Sequence, residues 1–284
     1  MEFNETVAIK SYRQEPGGGE HFIVVEPPYG LSIESQISYV EKRYDEVQRE
    51  LGLPNGSAIF RRLFVSDIVN QRELLQRSTL FADKDGSPVA ISLVEQQPLS
   101  QAKLSLLAYH VSDPVGVAKR KLTPRHIVVE KKGLSHLWTT GICALVDERP
   151  SPVSQQTREL FRDIVGTLDC LGGTLLDNCV RTWIYVKDVD VFYNDMVTSR
   201  RELFLQEGLS AQTHFIASTG IEGACAHRFD MVSMDAYSIL GLLPEQISYL
   251  NDFNYLCPAN DYNVTFERKK FDSQSRAHKG APQR

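Results

Sequence analysis

The chain has 284 residues, of which 42% are hydrophobic and 24% are charged, and its formal net charge is −5. This composition is typical of a globular protein, and the length fits two compact units of roughly 100 to 150 residues each. There is no run of about 18 apolar residues, and the N-terminal stretch lacks the basic and apolar regions of a signal peptide. We therefore expect no membrane span, no signal peptide and a cytoplasmic location.

The charge is distributed unevenly along the chain. Residues 269–284 contain five basic residues and one acid, so this tail carries +4 and residues 1–268 carry −9. An acidic body argues against a general role in tracking nucleic-acid phosphates, and we predict no nucleic-acid partner. The tail has one large apolar residue, Phe271, and is predicted to be disordered.

The five cysteines are odd in number and include no Cys-x-x-Cys pair, which argues against a disulfide framework and for a reducing compartment. His214, Cys225 and His227 match no common zinc-binding spacing, so small buried hydrophobic residues are the better interpretation of the cysteines. We predict no metal and no cofactor.

Hydrophobic periodicity in the first half of the chain predicts alternating helices and strands. Apolar residues recur every three or four positions in the first helix, and Gly52 ends it. In the strand that follows, the adjacent residues Arg61 and Arg62 must point to opposite sides, so at most one of them can face a pocket. The glycine-rich stretch at 17–21 is interpreted as a turn or flexible segment and not as a phosphate-binding loop, because no Lys-Ser/Thr and no helix start follow it. The elements are, in order, a helix over 33–51, a strand over 58–68, a short helix near residue 70 and strands over 88–94 and 103–111.

The second half repeats the same order after an initial pair of strands around Lys132 and Gly133. In the strand VRTWIYVKDVD, Arg181, Trp183 and Tyr185 alternate with the more apolar set that begins at Val180. The elements are two antiparallel strands within 125–146, a helix over 154–171, a strand over 180–190, a helix over 192–207 and two strands within 213–218 and 228–239.

A repeated strand–helix unit with added antiparallel strands predicts an α+β protein made of two similar lobes, each a mixed β-sheet with helices packed on one face. Two unrelated α+β domains with a similar order of elements are the alternative. The first interpretation requires the strands at 58–68 and 180–190 to occupy equivalent positions.

Several stretches of the second half resemble the successive motifs of the reactive-intermediate deaminase family, the Rid or YjgF type, which shares the chorismate-mutase-like fold. They are LWTTGICAL at 137–145, the helix at 154–173, the strand region at 175–195 and FDM at 229–231. More specifically, residues 194–209 followed by ASTGIEG at 217–223 are similar to the chorismatases. CPANDYNVTFER at 257–268 resembles the opening of the last lobe in that group.

The resemblance implies tandem lobes with an incomplete third one. A divergent Rid-like lobe is expected at 1–115, a second lobe at 120–245, a linker and the start of a third lobe at 246–268, and a basic tail at 269–284. Because the chain contains most of only two lobes, we expect it to self-associate through the exposed sheet and the lobe interface.

The resemblance also implies a set of site residues. The position of the family's carboxylate-binding arginine is occupied by Gln212, which lacks both the charge and the planar fork of a guanidinium, so ordinary imine deamination is doubtful. Asp230 matches the acid of the final strand. For a chorismate-like dicarboxylate, the STGIEG stretch is interpreted as a loop that cradles a carboxylate, with Glu222 as a second acid. The predicted substrate-binding residues are Arg200, Arg201, Gln212, Ser218, Thr219, Gly220, Gly223 and Arg228.

Three functions follow as hypotheses. The first is a chorismatase-like enzyme that cleaves the enolpyruvyl ether of chorismate or a related cyclic dicarboxylate and releases pyruvate. The second is a Rid-type enamine or imine hydrolase, which requires an arginine near Asp230. The third is a non-catalytic or partner-dependent pair of lobes that binds a small anionic metabolite. Each residue also has a plain structural alternative: a glycine turn for STGIEG, a solvated helix face for Arg200 and Arg201, and a surface acid for Glu222.

Overall fold

The computed structural model describes residues 2–4, 6–14, 18–83, 86–113, 116–144, 151–224, 229–249, 265–267 and 270–272. Within these residues the chain forms two α+β lobes, as predicted, and a small additional strand pair. No helix in this described part is long and apolar enough to cross a membrane.

Lobe 1 is a six-stranded mixed sheet with two helices on one face. Its strands are ordered β1-β2-β3-β6-β4-β5, with β4 and β5 parallel and the other neighbours antiparallel. The elements are β1 (Glu2–Asn4), β2 (Val7–Gln14), β3 (Gly18–Val25), α1 (Ile33–Glu50), β4 (Ala58–Val65), α2 (Ile68–Gln76), β5 (Ala90–Glu95) and β6 (Leu104–Ser112).

Lobe 2 has the same architecture, with strands ordered β11-β10-β12-β9-β8-β7 and the parallel pair formed by β10 and β11. Its elements are β7 (Ala118–Thr123), β8 (His126–Lys131), β9 (Leu134–Cys143), α3 (Val153–Cys170), α4 (Leu175–Asn178), β10 (Cys179–Val186), α5 (Val189–Gln206), β11 (Ala217–Glu222) and β12 (Val232–Leu240).

The two lobes are topological copies. Reading the sheet orders from the same end gives β1-β2-β3-β6-β4-β5 in lobe 1 and β7-β8-β9-β12-β10-β11 in lobe 2. The strands at 58–65 and 179–186 therefore occupy equivalent positions, and each has an irregularity after its first residue in its pairing with the neighbouring antiparallel strand. The predicted duplication is confirmed.

The structure corrects the sequence expectations for the glycine-rich stretch and for the start of the last strand. Residues 18–21 of the glycine-rich stretch begin strand β3, where Gly19 pairs with Arg13 and with Ser112. A β-carbon on Gly19 would lie 3.0 Å from the carbonyl oxygen of Tyr12, so the glycine allows close packing of strands and does not form a turn. FDM at 229–231 lies before the last strand, which begins at Val232.

Apolar residues on one face of each sheet pack against the helices. In lobe 1 the stripe of α1 that includes Val40, Tyr44 and Val47 is buried on the sheet, and the Ser32 hydroxyl accepts from the Ser35 amide to cap the helix. In lobe 2 the equivalent stripe of α3 includes Leu160 and Ile164. The helices leave the opposite face of each sheet uncovered, and we call it the open face.

The open faces of the two lobes pack against each other over part of their area. The shared core contains Phe60 and Tyr109 from lobe 1 and Ile127, Val129 and Trp138 from lobe 2. The rings of Phe60 and Trp138 stack with 5.4 Å between their centroids. The backbones also join, because Glu95 exchanges two hydrogen bonds with Ala224 at 2.9 and 3.0 Å. Among the described residues, the shared core includes none from β10 or β11.

The C-terminal region is described only in part. β13 (Ile247–Tyr249) pairs with β14 (Lys270–Asp272), and the Glu267 amide donates to the Ile216 carbonyl beside β11. Most of the predicted third lobe and of the basic tail lies outside the described residues, so those domain boundaries stay predictions.

Candidate functional site

Strand β10 presents two chemically different faces. Thr182, Ile184 and Val186 are buried toward the helices, whereas Arg181 and Trp183 are half-buried on the open face of lobe 2. Across the sheet, Arg181 lies opposite Tyr237 of β12, and Tyr237 lies opposite Trp138 of β9. A cation and two aromatic rings therefore stand side by side on three neighbouring strands.

Lobe 1 contributes an arginine to this face. Arg62 of β4 and Asp235 of β12 form a buried ion pair, with 2.7 Å between Nη2 and Oδ2 and 2.9 Å between Nε and Oδ2. The other oxygen of Asp235 accepts from the Ser92 hydroxyl at 2.9 Å and from the Gly141 amide at 2.8 Å. Four donors from three segments thus surround one carboxylate, which fixes the two lobes relative to each other.

The Arg62 guanidinium also lies over the aromatic residues of the site. Its central carbon is 4.8 Å from the ring centroid of Trp183 and 5.7 Å from that of Tyr185, within the range of cation–π attraction. Burial and the neighbouring Asp235 carboxylate raise the pKa of Tyr185. Tyr185 is therefore a neutral phenol at physiological pH.

Arg181 differs from Arg62 because it has no ion pair with a carboxylate in the described part of the chain. Its Nη2 donates to the Thr219 hydroxyl, and its guanidinium lies 5.5 Å from the Trp183 ring centroid. Burial and the positive charge of Arg62 lower the pKa of Arg181 from its usual value, although it remains a cation at neutral pH. The open face of lobe 2 therefore carries a positive charge that nothing described there neutralises.

A histidine–tyrosine pair adjoins this cation. The His136 Nδ1 lies 2.6 Å from the Tyr237 hydroxyl, and the two rings stack with 5.9 Å between centroids. Tyr237 stacks on Trp138 at 4.4 Å. The tautomer of His136 decides which partner donates in this contact.

The STGIEG stretch, expected as a loop, is strand β11 followed by Gly223. Strand alternation sends Thr219 to the open face, while Ser218 and Gly220 face the helices. Gly220 allows the ring of Tyr193 to lie close, since a β-carbon there would be 3.0 Å from Tyr193 Cε2. The predicted cradle is therefore divided between the two sides of the sheet.

Both predicted acids lie toward the Val186 end of β10, away from Arg181 near its other end. Glu222 is exposed and accepts from the amides of Asp188 at 3.0 Å and Val189 at 2.7 Å, at the start of α5. Its equivalent in lobe 1, Glu95, accepts from the Ile68 amide at 2.8 Å at the start of α2. The same contact in both lobes gives Glu222 a helix-capping position. Its predicted catalytic role stays a prediction.

Asp230 is buried in lobe 2, two residues before β12 begins at Val232. Burial, together with the nearby Asp230 carboxylate, raises the pKa of the Cys143 thiol. The same thiol lies 3.2 Å from Arg125 Nη2. Asp230 thus has an arginine in its neighbourhood, but it stands beyond the Val232 end of the strand on which Tyr237 faces Arg181.

The remaining predicted residues are scattered. Arg200 is buried on the helix side, where its Nη1 lies 3.3 Å from the Ser218 hydroxyl, so it does not belong to a solvated face. Gly223 packs between the lobes, because a β-carbon would lie 3.1 Å from both Tyr185 and Val94. Gln212 is exposed and Arg201 is half-buried. Arg228, Cys225 and His227 lie outside the described residues.

Sequence reasoning missed Arg62, Asp235 and Tyr237 as site residues. A usable signal was present, because alternation in FRRLF allows one arginine to reach the open face, and the last strand carries Asp235 at an open-face position. The contact itself was not foreseeable, since 173 positions separate Arg62 from Asp235.

Comparison with solved structures places this fold. A chorismatase structure matches with a TM-score of 0.55 at 14% identity, over 81% of this chain and 79% of that one. A YjgF-family protein from Neisseria meningitidis matches with a TM-score of 0.35 at 18% identity, over 44% of this chain and 94% of its own. A member of the same family from Mycobacterium tuberculosis matches with a TM-score of 0.31 at 23% identity, over 39% and 82% of the two chains. No protein-family model and no curated protein sequence matches.

The class is thus an α+β protein built from two lobes of equivalent topology. Within that class the fold is chorismatase-like, and the resemblance inferred from the sequence is confirmed at the level of fold.

Proposed function

We propose that the protein binds a small cyclic carboxylate on the open face of lobe 2 and cleaves its enolpyruvyl ether, with chorismate as the reference substrate and pyruvate as a product. One observation carries the proposal: Arg181 is a half-buried cation without a carboxylate partner among the described residues, and it lies next to Trp183 on its own strand and opposite Tyr237 on β12. The chorismatase-like fold supports it.

Binding follows from the charges on this face. Asp235 compensates Arg62, so Arg181 is left as the cation that attracts an anion. A substrate carboxylate would accept from the Arg181 guanidinium, while the Thr219 hydroxyl, which already contacts Nη2, orients the fork. The faces of Trp183 and Tyr237 would pack on an unsaturated ring.

Cleavage of an enol ether requires a proton and a water molecule. In the proposed reaction Tyr237, hydrogen-bonded to His136, donates a proton to the methylene carbon of the enolpyruvyl group. Water then adds to the adjacent oxygen-bearing carbon and returns a proton to the tyrosine–histidine pair. The resulting hemiketal then breaks the bond between this carbon and the oxygen attached to the ring while its hydroxyl proton passes to that oxygen, which gives pyruvate and a ring alcohol. The reaction consumes one water and needs no cofactor.

The test is pyruvate release from chorismate by the purified full chain, with Arg181→Gln as the variant. Arg120→Gln is the matched control, because Arg120 is exposed on β7. A hydrogen-bonded charge contributes about 1.5–3 kcal/mol, so we expect Arg181→Gln to lower kcat/KM by about 10- to 100-fold, whereas Arg120→Gln leaves it unchanged. Absence of pyruvate from the wild type, or equal activity of the two variants, would refute the proposal.

A second candidate function, imine hydrolysis, is favoured by the Arg125–Cys143–Asp230 cluster. This hypothesis required an arginine near Asp230, and both residues act on the same thiol. Ammonia release from an imino acid that is generated in the assay would identify it, if Arg125→Gln and Asp230→Asn both abolish the release and Arg181→Gln does not. Binding of chorismate without turnover of either substrate would instead favour a metabolite-binding lobe pair.

A further inference from the structure

Arg200 is a buried arginine with an unsatisfied edge. It lies on α5, is 1% exposed and faces the helix side of β11, so it is separated by the sheet from Arg181. Its Nη1 lies 3.3 Å from the Ser218 hydroxyl, and its guanidinium lies 5.7 Å from the Phe204 ring centroid. Its Nε and Nη2 have no hydrogen-bond partner in the part of the chain that the structure describes. Such donors are costly to bury without a hydrogen-bond partner.

Arg61 in lobe 1 provides an internal comparison. It is equally buried on the helix side of β4, and its Nε is also without a partner. However, its Nη1 donates to the carbonyls of Thr79, Leu80 and Ala82 at 3.1, 3.1 and 2.9 Å. Lobe 1 therefore supplies backbone acceptors to its buried arginine, whereas the described residues of lobe 2 supply one hydroxyl.

The charge of Arg200 is also uncompensated. No described carboxylate forms an ion pair with it, and burial and the neighbouring Arg201 lower the pKa of Arg200 to about 10. At neutral pH the side chain is still a cation. A bound anion would remove both the unsatisfied donors and the uncompensated charge.

The two unsatisfied nitrogens define the kind of anion. Nε–H and Nη2–H project from the same edge of the planar guanidinium, and this edge matches the two oxygens of one carboxylate. We propose that this edge of Arg200 binds the carboxylate of a small organic acid between α5 and β11. The site is independent of the proposed function, because it lies on the other side of the sheet.

Entry to the site requires side-chain movement, since Nε and Nη2 are closed to solvent. Tyr193 is the half-buried residue of α5 that packs on Gly220 of β11. A small ligand such as acetate fits this geometry better than a ring-containing substrate, because the helix and strand are already in contact.

The proposal is tested by titrating the full chain with sodium acetate against sodium chloride at equal ionic strength. The Nε–H resonance of Arg200, assigned by its loss in Arg200→Lys, is followed in ¹H–¹⁵N spectra together with the thermal unfolding midpoint. We expect a saturable shift of that resonance and a rise of the midpoint with acetate alone. Arg200→Lys should weaken the acetate effect at least tenfold, since lysine keeps the charge but loses the fork.

Two controls separate this site from the rest of the protein. Arg61→Lys and Arg181→Gln both leave Arg200 intact and should retain the acetate effect. An Arg200 resonance that does not respond to acetate would overturn the proposal, as would loss of the effect in Arg181→Gln. If Arg200→Lys does not fold, the Arg200 resonance is assigned by triple-resonance spectra of the wild type, and the wild type and Arg181→Gln then decide between these outcomes.

Discussion

Arg62 and Asp235 form a buried ion pair that joins the two lobes, with 2.7 Å between Nη2 and Oδ2. One partner comes from β4 of lobe 1 and the other from β12 of lobe 2. The pair therefore stabilises the contact between the lobes, next to the open face that carries Arg181.

Arg62→Met should destabilise the protein strongly, because it leaves the Asp235 carboxylate buried without its cation. We expect a loss of about 3–5 kcal/mol in the free energy of unfolding, measured by urea titration. The control is Arg77→Met, since Arg77 and Glu73 form an exposed pair at 3.5 Å and should contribute less than about 1 kcal/mol. Equal effects of the two substitutions would contradict the importance of the lobe-joining pair.

The two strand-end glutamates should behave as equivalent helix caps. Glu222→Ala and Glu95→Ala each remove a carboxylate that accepts from amides at the start of a helix, so each should cost about 0.5–2 kcal/mol. Thermal unfolding measures both. A loss of chorismate cleavage in Glu222→Ala, without a matching loss of stability, would instead support the acid role predicted for Glu222 from the sequence.

Two glycines should respond oppositely to alanine. At Gly223 the new β-carbon would meet Tyr185 and Val94 at 3.1 Å, so Gly223→Ala should destabilise the lobe contact by about 1–3 kcal/mol. At Gly166, inside α3, a β-carbon meets nothing within 4 Å, and alanine should stabilise the helix by about 1 kcal/mol. Urea unfolding of the two variants checks the signs, and a Gly223→Ala variant at least as stable as the wild type would show that the space at Gly223 is not limiting.

The contact between Glu20 of β3 and Lys131 of β8 should make the lobe interface sensitive to acid. Burial by itself raises the pKa of Glu20, but the charge and hydrogen bond of Lys131 outweigh it and lower the pKa below its ordinary value of 4.5. A depressed carboxyl pKa contributes stability above the unfolded-state pKa and loses it as the pH falls through the folded-state pKa.

We therefore expect wild type and Glu20→Gln to differ by a constant free energy of unfolding above about pH 6. The difference should shrink as the pH falls below 4.5, because the unfolded-state glutamate takes up its proton there while the folded-state carboxyl is still charged. Urea unfolding at a series of pH values from about 3 to about 7 measures this difference in free energy. A difference that grows toward low pH would show that the sign of the pKa shift is wrong.

The elements whose apolar residues recur with a regular period could be predicted from the sequence. Prediction failed where few side chains are buried or where glycines suggest a turn. Helices α1 and α3 carry regular apolar stripes, and their positions agree with the structure within one or two residues at each end. Strand β2 was missed because most of its described side chains are exposed or half-exposed, so apolar alternation is faint. The start of β3 was mistaken for a turn because it is rich in glycine.

The site was harder to predict than the fold. The glycines of STGIEG suggested a loop. In the structure, Gly220 and Gly223 instead leave room for the rings of Tyr193 and Tyr185, which pack against them. Arg200 was expected on a solvated face if it had no ligand, yet it is buried. Such contacts depend on the packing of α5 on β11 and of one lobe on the other, which no local pattern encodes.

The central claim, that the open face of lobe 2 binds a small cyclic carboxylate through Arg181, is tested most directly by tryptophan fluorescence. The chain has two tryptophans, Trp138 and Trp183, and both lie on this face. Titration with chorismate under selective tryptophan excitation should give a saturable change in the wild type and in Arg120→Gln, and a change weakened by at least about tenfold in Arg181→Gln, since a charged hydrogen bond is lost. An unchanged fluorescence in the wild type, or equal affinity in Arg181→Gln, would contradict the account.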